Sequence, residues 1–184
     1  MLKFYDLITT PVELLTFMNN NFHYGYVDKN NIKHSKFNSD WFDKYVLQIE
    51  CDMLESKVGC CFDAVEFERF WFQTYKYEFI TIFEMVKLDY PNNYPMHTFL
   101  VYKENGFWYY FEWADFNNQG VFRFKSLNEA LDYQFNKYKN TLKNLNIKEE
   151  ELNKVIRKIY LKPLDKYTAE EYLEFIMGGD DFHE

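Results

Sequence analysis

The chain of 184 residues carries 29 acidic against 21 basic side chains, and this net charge of −8 repels phosphate backbones and anionic membrane surfaces, arguing against nucleic-acid and lipid partners. Aromatic residues make up 22% of it, with only six Gly and four Pro, a composition suited to one folded domain whose core is built from rings and needs no disulfide or metal. Cys51, Cys60 and Cys61 are an odd set, no basic-then-apolar leader stands out, and the apolar runs fall short of a membrane span; free thiols in a reducing, cytoplasmic setting are expected.

Three capping boxes predict helices. Thr10–Glu13, with Pro11 at the first helical position, opens one over Pro11–Asn20; Ser126–Glu129 opens Leu127–Leu145; Thr168–Glu171 opens Ala169–Met177. Asn19–Ser39 reads as a long polar connection with a turn at Tyr24–Tyr26, followed by a short helix near Ser39–Tyr45. Phe62–Phe79 has apolar residues on most sides, the pattern of a central, buried helix.

Strand-like runs follow at Phe79–Asp89, His97–Lys103, Phe107–Ala114 and Gly120–Phe124, separated by turn compositions. Val155–Leu161 suits strand or helix and Pro163 ends it, while the basic alternation in Asn153–Lys162 reads as a solvated face. Gly178–Glu184 reads as a frayed acidic tail, and His23, His34 and His183 sit in polar or terminal contexts as solvated side chains. Helices, then an antiparallel meander, then helices define an α+β chain.

Cys61 follows Gly59 at the head of the buried helix. Unpaired N–H groups and the positive end of the macrodipole favour a thiolate there, and the same N–H groups can stabilise an oxyanion. Thiol catalysis also needs a base and a group that orients it. His97 opens one strand and Glu112 lies in the next, so the hairpin register decides whether they meet. A two-residue loop at Glu104–Asn105 sets them directly opposite, with Cβ atoms ~5 Å apart. A loop at Asn105–Gly106 makes Glu112 a diagonal neighbour on the same face, and a three-residue loop without a bulge puts them on opposite faces. A zinc site built on Cys60 or Cys61, His97 and a carboxylate lacks the paired Cys-x-x-Cys or His-x-x-x-His spacing, so no metal or cofactor is expected.

Gly59-x-Cys61-Phe62-Asp63, then His97, then Trp108-x-x-x-Glu112 together resemble the transglutaminase-like branch of papain-fold cysteine enzymes, over about Tyr24–Leu131. The resemblance implies one domain over 1–184, with a core at about 24–131 and a C-terminal helical extension at about 132–184. Its core helix carries the cysteine at the N-terminus and packs on an antiparallel sheet, with flanking N- and C-terminal helices. It implies Cys61 as nucleophile, His97 as base and Glu112 as the orienting acid, acting on a peptide or protein amide through a thioester resolved by water or an amine. The family more often has Asp in the third role; Asp115 is the alternative, but its parity puts it on the other strand face. Cys60 and Cys51 are left as packing residues. Gln48, thirteen residues before Cys61, is too distant to assign as oxyanion donor, which stays open. The competing reading is a catalytically silent binding or inhibitor protein that uses an aromatic surface of the same scaffold; a pure binder has no need of all three residues.

Overall fold

A computed structural model of the chain describes residues 7–86, 95–152, 154–161 and 166–181. In chain order the elements are α1 (Pro11–Asn21), β1 (His23–Tyr24), β2 (Tyr26–Val27), β3 (Lys33–His34), α2 (Trp41–Lys44), α3 (Glu50–Ser56), β4 (Val58–Gly59), α4 (Cys61–Thr74), β5 (Glu78–Val86), β6 (Met96–Glu104), β7 (Phe107–Glu112), β8 (Gly120–Phe124), α5 (Leu127–Asn144), α6 (Glu149–Leu152), β9 (Val155–Ile159), α7 (Ala169–Met177) and β10 (Asp180–Asp181).

The long helices begin where their caps direct. Thr10 Oγ1 accepts the Glu13 N–H at 3.2 Å while the Glu13 carboxylate accepts the Thr10 N–H at 3.0 Å, satisfying two donors that a helix start leaves orphaned. Thr168 repeats this box at α7, accepting the Glu171 N–H at 3.3 Å, and Ser126 caps α5 by accepting the Glu129 N–H at 3.2 Å while the Glu129 carboxylate accepts the Lys125 N–H at 2.8 Å.

The main sheet is antiparallel, in the order β10-β9-β5-β6-β7-β8, with β10 a two-residue edge. Strand alternation divides it between two helices. Phe83, Leu100, Tyr102 and Phe111 share a core with α4; Ile82, Phe99, Val101 and Tyr110 meet Ala130 and Leu131 of α5 on the other face. Helix α4 is buried on nearly every side, and Phe62, Phe67, Trp71 and Phe72 are all 0–3% exposed. Burying each such ring stabilises the fold by roughly 1.5–3 kcal/mol. Lys76, in the left-handed region at φ 59°, turns the chain into β5 and ends the helix short of Phe79.

Several local expectations change. The Tyr24–Tyr26 stretch is extended: β1 pairs in parallel with β4, while β2 pairs with β3. Gly25 is there for close approach, since a Cβ on it would stand 2.2 Å from the His34 carbonyl oxygen. His34 is half-buried, stacked on Tyr26 at 4.5 Å and hydrogen-bonded to Asp28 at 2.9 Å. Val155–Ile159 is a strand beside β5, and there Lys158 is 9% exposed and donates to the Gly179 carbonyl at 3.2 Å, so this stretch is not a solvated face. The tail is docked through Asp181, because β10 pairs with β9; residues 182–184 lie outside the described residues. So do His183 and the end of the run expected over Phe79–Asp89.

Candidate active site

The head of α4 is held by a frame of short contacts. The β1–β4 pairing sets Tyr24 beside Gly59. Gly59 is tightly packed: a Cβ would lie 2.9 Å from Met53 Cε and 3.0 Å from Asp63 Cβ, so both neighbours would have to give way. Cys60 is the helix cap and Cys61 the first helical residue. Asp63, fully buried, accepts the Cys60 N–H at 2.9 Å, the Gln48 N–H at 2.8 Å and the Tyr45 hydroxyl at 2.8 Å. The Asp of the Cys-aromatic-Asp motif therefore fixes the backbone that presents Cys61, even though burial pushes its pKa up to about 6. Gln48 belongs to the same frame: its amide donates to the Val58 carbonyl at 2.7 Å.

The hairpin between β6 and β7 turns at Asn105 and Gly106, both at positive φ (51° and 82°), the geometry that an Asn-Gly pair adopts at least cost. The ladder runs from Glu104–Phe107 to Leu100–Phe111, so the second of the three registers is realised. Glu112 becomes the diagonal, same-face neighbour of His97, and His97 Nε2 meets Glu112 Oε2 at 2.7 Å. The Tyr110 hydroxyl and the Asp115 backbone N–H, at 2.8 Å, also donate to the Glu112 carboxylate. Asp115 is thus a support for Glu112 rather than its substitute, and its own carboxylate is taken up by Asn117 and Asn118.

His97 and Glu112 share the parity of the α5 face, whereas Cys61 arrives from the α4 side. They meet because the β6–β7 ladder stops at Leu100–Phe111. In the opening beyond it, the Thr98 backbone N–H and His97 both act to lower the Cys61 pKa, and Cys61 in turn helps to raise that of His97, whose Nδ1 is the ring nitrogen left free by the Glu112 bond.

These contacts set the charge states. A hydrogen bond from the Cys60 thiol, then the bond to His97, its charge and the Thr98 N–H, overcome burial and lower the Cys61 pKa to about 5. Cys60 packs in the core at 2% exposed, as expected, and burial holds its pKa well above the ordinary thiol value, so it stays protonated. Burial alone would lower the His97 pKa, but the Glu112 charge, together with Cys61, raises it well above the ordinary value. Glu112 is held below the usual carboxylate range against the effect of burial, chiefly by His97. Two further buried acids, Glu68 and Glu84, are pushed upward by burial, the latter to about 7, and Glu84 is the direct cross-strand partner of His97.

Tyr24 was missed by sequence reasoning. Its hydroxyl makes no hydrogen bond within the described residues, and burial followed by the Cys61 charge keeps its pKa well above the ordinary value. A neutral phenol is therefore close enough to feel the Cys61 charge, clamped between Phe37 at 5.5 Å and Phe116 at 5.6 Å. Only the long-range β1–β4 pairing puts it there, and no local motif could have announced it. Tyr24 and His97 both line a groove of about 330 Å³, bounded also by Tyr110, Phe116, Gln134 and Tyr138. A larger cavity of about 560 Å³, beside Asp28 and Gln48, contains none of the three candidate residues.

Among the described residues no cluster of three or more His, Cys, Asp or Glu is arranged to hold a metal ion, and no helix is long and apolar enough to cross a membrane. No family model matches the chain, and no curated protein is significantly similar to it.

Proposed function

We propose that the protein is a cysteine-nucleophile enzyme that cleaves or transfers an acyl group at an amide bond, a cytoplasmic member of the transglutaminase-like branch of the papain fold. The observation that carries this reading is the His97–Glu112 pair, hydrogen-bonded at 2.7 Å, next to a Cys61 thiol whose pKa His97 helps to lower while Cys61 helps to raise that of the imidazole. In this mechanism the Cys61 thiolate attacks the amide carbonyl, forming a C–S bond and an oxyanion that accepts a hydrogen bond from Tyr24. Imidazolium His97 protonates the departing amine as the C–N bond breaks, leaving a thioester. Neutral His97 then takes a proton from water, or from an amine acceptor, as that nucleophile displaces the thiol. Glu112 holds the ring in position and stabilises its charged form.

A second reading is a silent binding protein on the same scaffold. Its support is that Cys61 is only 7% exposed while Phe116, on the groove that His97 lines, is 60% exposed, so the aromatic rim is more accessible than the sulfur. Labelling with limiting iodoacetamide at pH 6.5, followed by peptide mass mapping, separates the two. The enzyme reading expects Cys61 to be modified well ahead of Cys51 and Cys60, and a thioester to be trapped with an activated acyl donor. Slow, equal labelling of the three favours the binder.

A further inference from the structure

We propose that the groove beside His97 is the subsite for the acyl side of the substrate, and that it takes one uncharged aromatic side chain carrying a hydrogen-bond donor, tyrosine or tryptophan. This rests on Cys61 being the nucleophile and adds the substrate class. Continuity comes first: His97 and Tyr24, the two groups that act on the Cys61 sulfur and the developing oxyanion, are themselves groove walls. Cys61 is not itself a groove wall, so a group bound there reaches the carbonyl under attack past His97 and Tyr24.

Size and lining narrow the occupant. About 330 Å³ is at the lower end for ligand clefts and suits a single large side chain. Tyr110 and Tyr138, 1% and 6% exposed, form part of the walls. At the rim, Phe116 and Leu145 are 60% and 57% exposed, an apolar edge that an aromatic ligand would cover. The groove's own charges, Asp115 and Lys137, are opposite in sign and leave it no net charge to select an ionised side chain of either kind, and burying a charge among its aromatic walls is unfavourable.

The polar requirement comes from Gln134. It is 2% exposed, its Nε2 donates to Glu84, and its Oε1 has no partner. A buried acceptor left unpaired costs free energy that a donor on the ligand would recover. That favours tyrosine or tryptophan over phenylalanine.

The test uses N-acyl-aminoacyl chloromethyl ketones of Tyr, Phe, Ala and Glu, in which the Cys61 sulfur displaces chloride to form a C–S bond. Rates are read by intact mass and divided by the iodoacetamide rate of the same protein. The expected ratios place Tyr at least tenfold above Ala and about threefold above Phe, with Glu below Ala. Gln134→Leu should abolish the preference for Tyr over Phe. Phe116→Ser, at an exposed position that folding tolerates, should lower the Tyr-to-Ala ratio at least threefold. Equal ratios for all four ketones on a protein that iodoacetamide labels readily at Cys61 would overturn the subsite alone. A Cys61 inert to iodoacetamide as well would overturn the enzyme reading beneath it.

Discussion

Helix α4 carries two buried networks of charge only five residues apart, and they are built to opposite ends. At Glu66 and Arg69 the network closes on itself. Arg69 meets Glu66 at 3.0 Å and Thr81 at 2.7 Å, the Tyr172 hydroxyl lies within hydrogen-bond reach of both Glu66 at 3.2 Å and the Tyr160 hydroxyl at 3.0 Å, and the guanidinium lies 5.1 Å from the Tyr160 ring centre. At Cys61 the network is open: Tyr24 offers a hydroxyl with no partner within the described residues, and His97 lines a groove. Both networks contain desolvated charge, so burial does not distinguish a structural ion pair from a reactive one. What does is whether the last donor points at protein or at space a ligand can enter.

The comparison can be broken from either end. The largest effect is expected at the closed network, where Arg69→Met strands the Glu66 carboxylate and should cost about 3–5 kcal/mol of stability. Urea unfolding measures it, and replacing Glu66 and Arg69 together by methionine should cost much less than Arg69→Met alone. At the open network the loss should fall on reactivity. His97→Ala removes the cation that holds the thiolate and should slow Cys61 alkylation at pH 6 about 100-fold, as the thiol returns toward its ordinary pKa.

Glu84 lies between these cases. Its folded pKa of about 7 is above that of an unfolded glutamate, so the folded state keeps a proton that the unfolded state has already lost. Stability from this group is greatest in acid and falls as pH rises from about 4.5 through 7. Glu84→Gln cannot ionise, and should raise stability at pH 8 on the order of 2 kcal/mol while changing little at pH 4. Thermal unfolding at the two pH values reads the difference. The smallest effect belongs to Cys60→Ala: losing the thiol donor should move the Cys61 alkylation midpoint upward by about one pH unit, roughly 1.4 kcal/mol.

Sequence reasoning succeeded where a local rule decides the outcome. The caps at Thr10, Ser126 and Thr168 placed α1, α5 and α7 to within a residue at each end. Turn chemistry at Asn105–Gly106 offered the register that brings Glu112 to His97, though parity alone left it tied with the direct pairing. Helix α3 had no signal to read: Ile49 occupies the cap position, and Asp52 reaches back to its N–H at 3.2 Å. The strand assignment of Val155–Ile159 rests on β5, more than sixty residues away, and its basic side chains disguised the burial. The donor role of Cys60 and the placement of Tyr24 likewise come from tertiary contacts, which no spacing within one segment encodes.

The central claim, a thiolate–imidazolium pair already formed in the resting protein, is tested most directly by the pH dependence of Cys61 alkylation by iodoacetamide, followed by peptide mass mapping. A rate that rises through a midpoint near pH 5 and then stays flat to pH 8 is the expected result. A rate still climbing between about pH 8 and 9, as for an ordinary thiol, would contradict it.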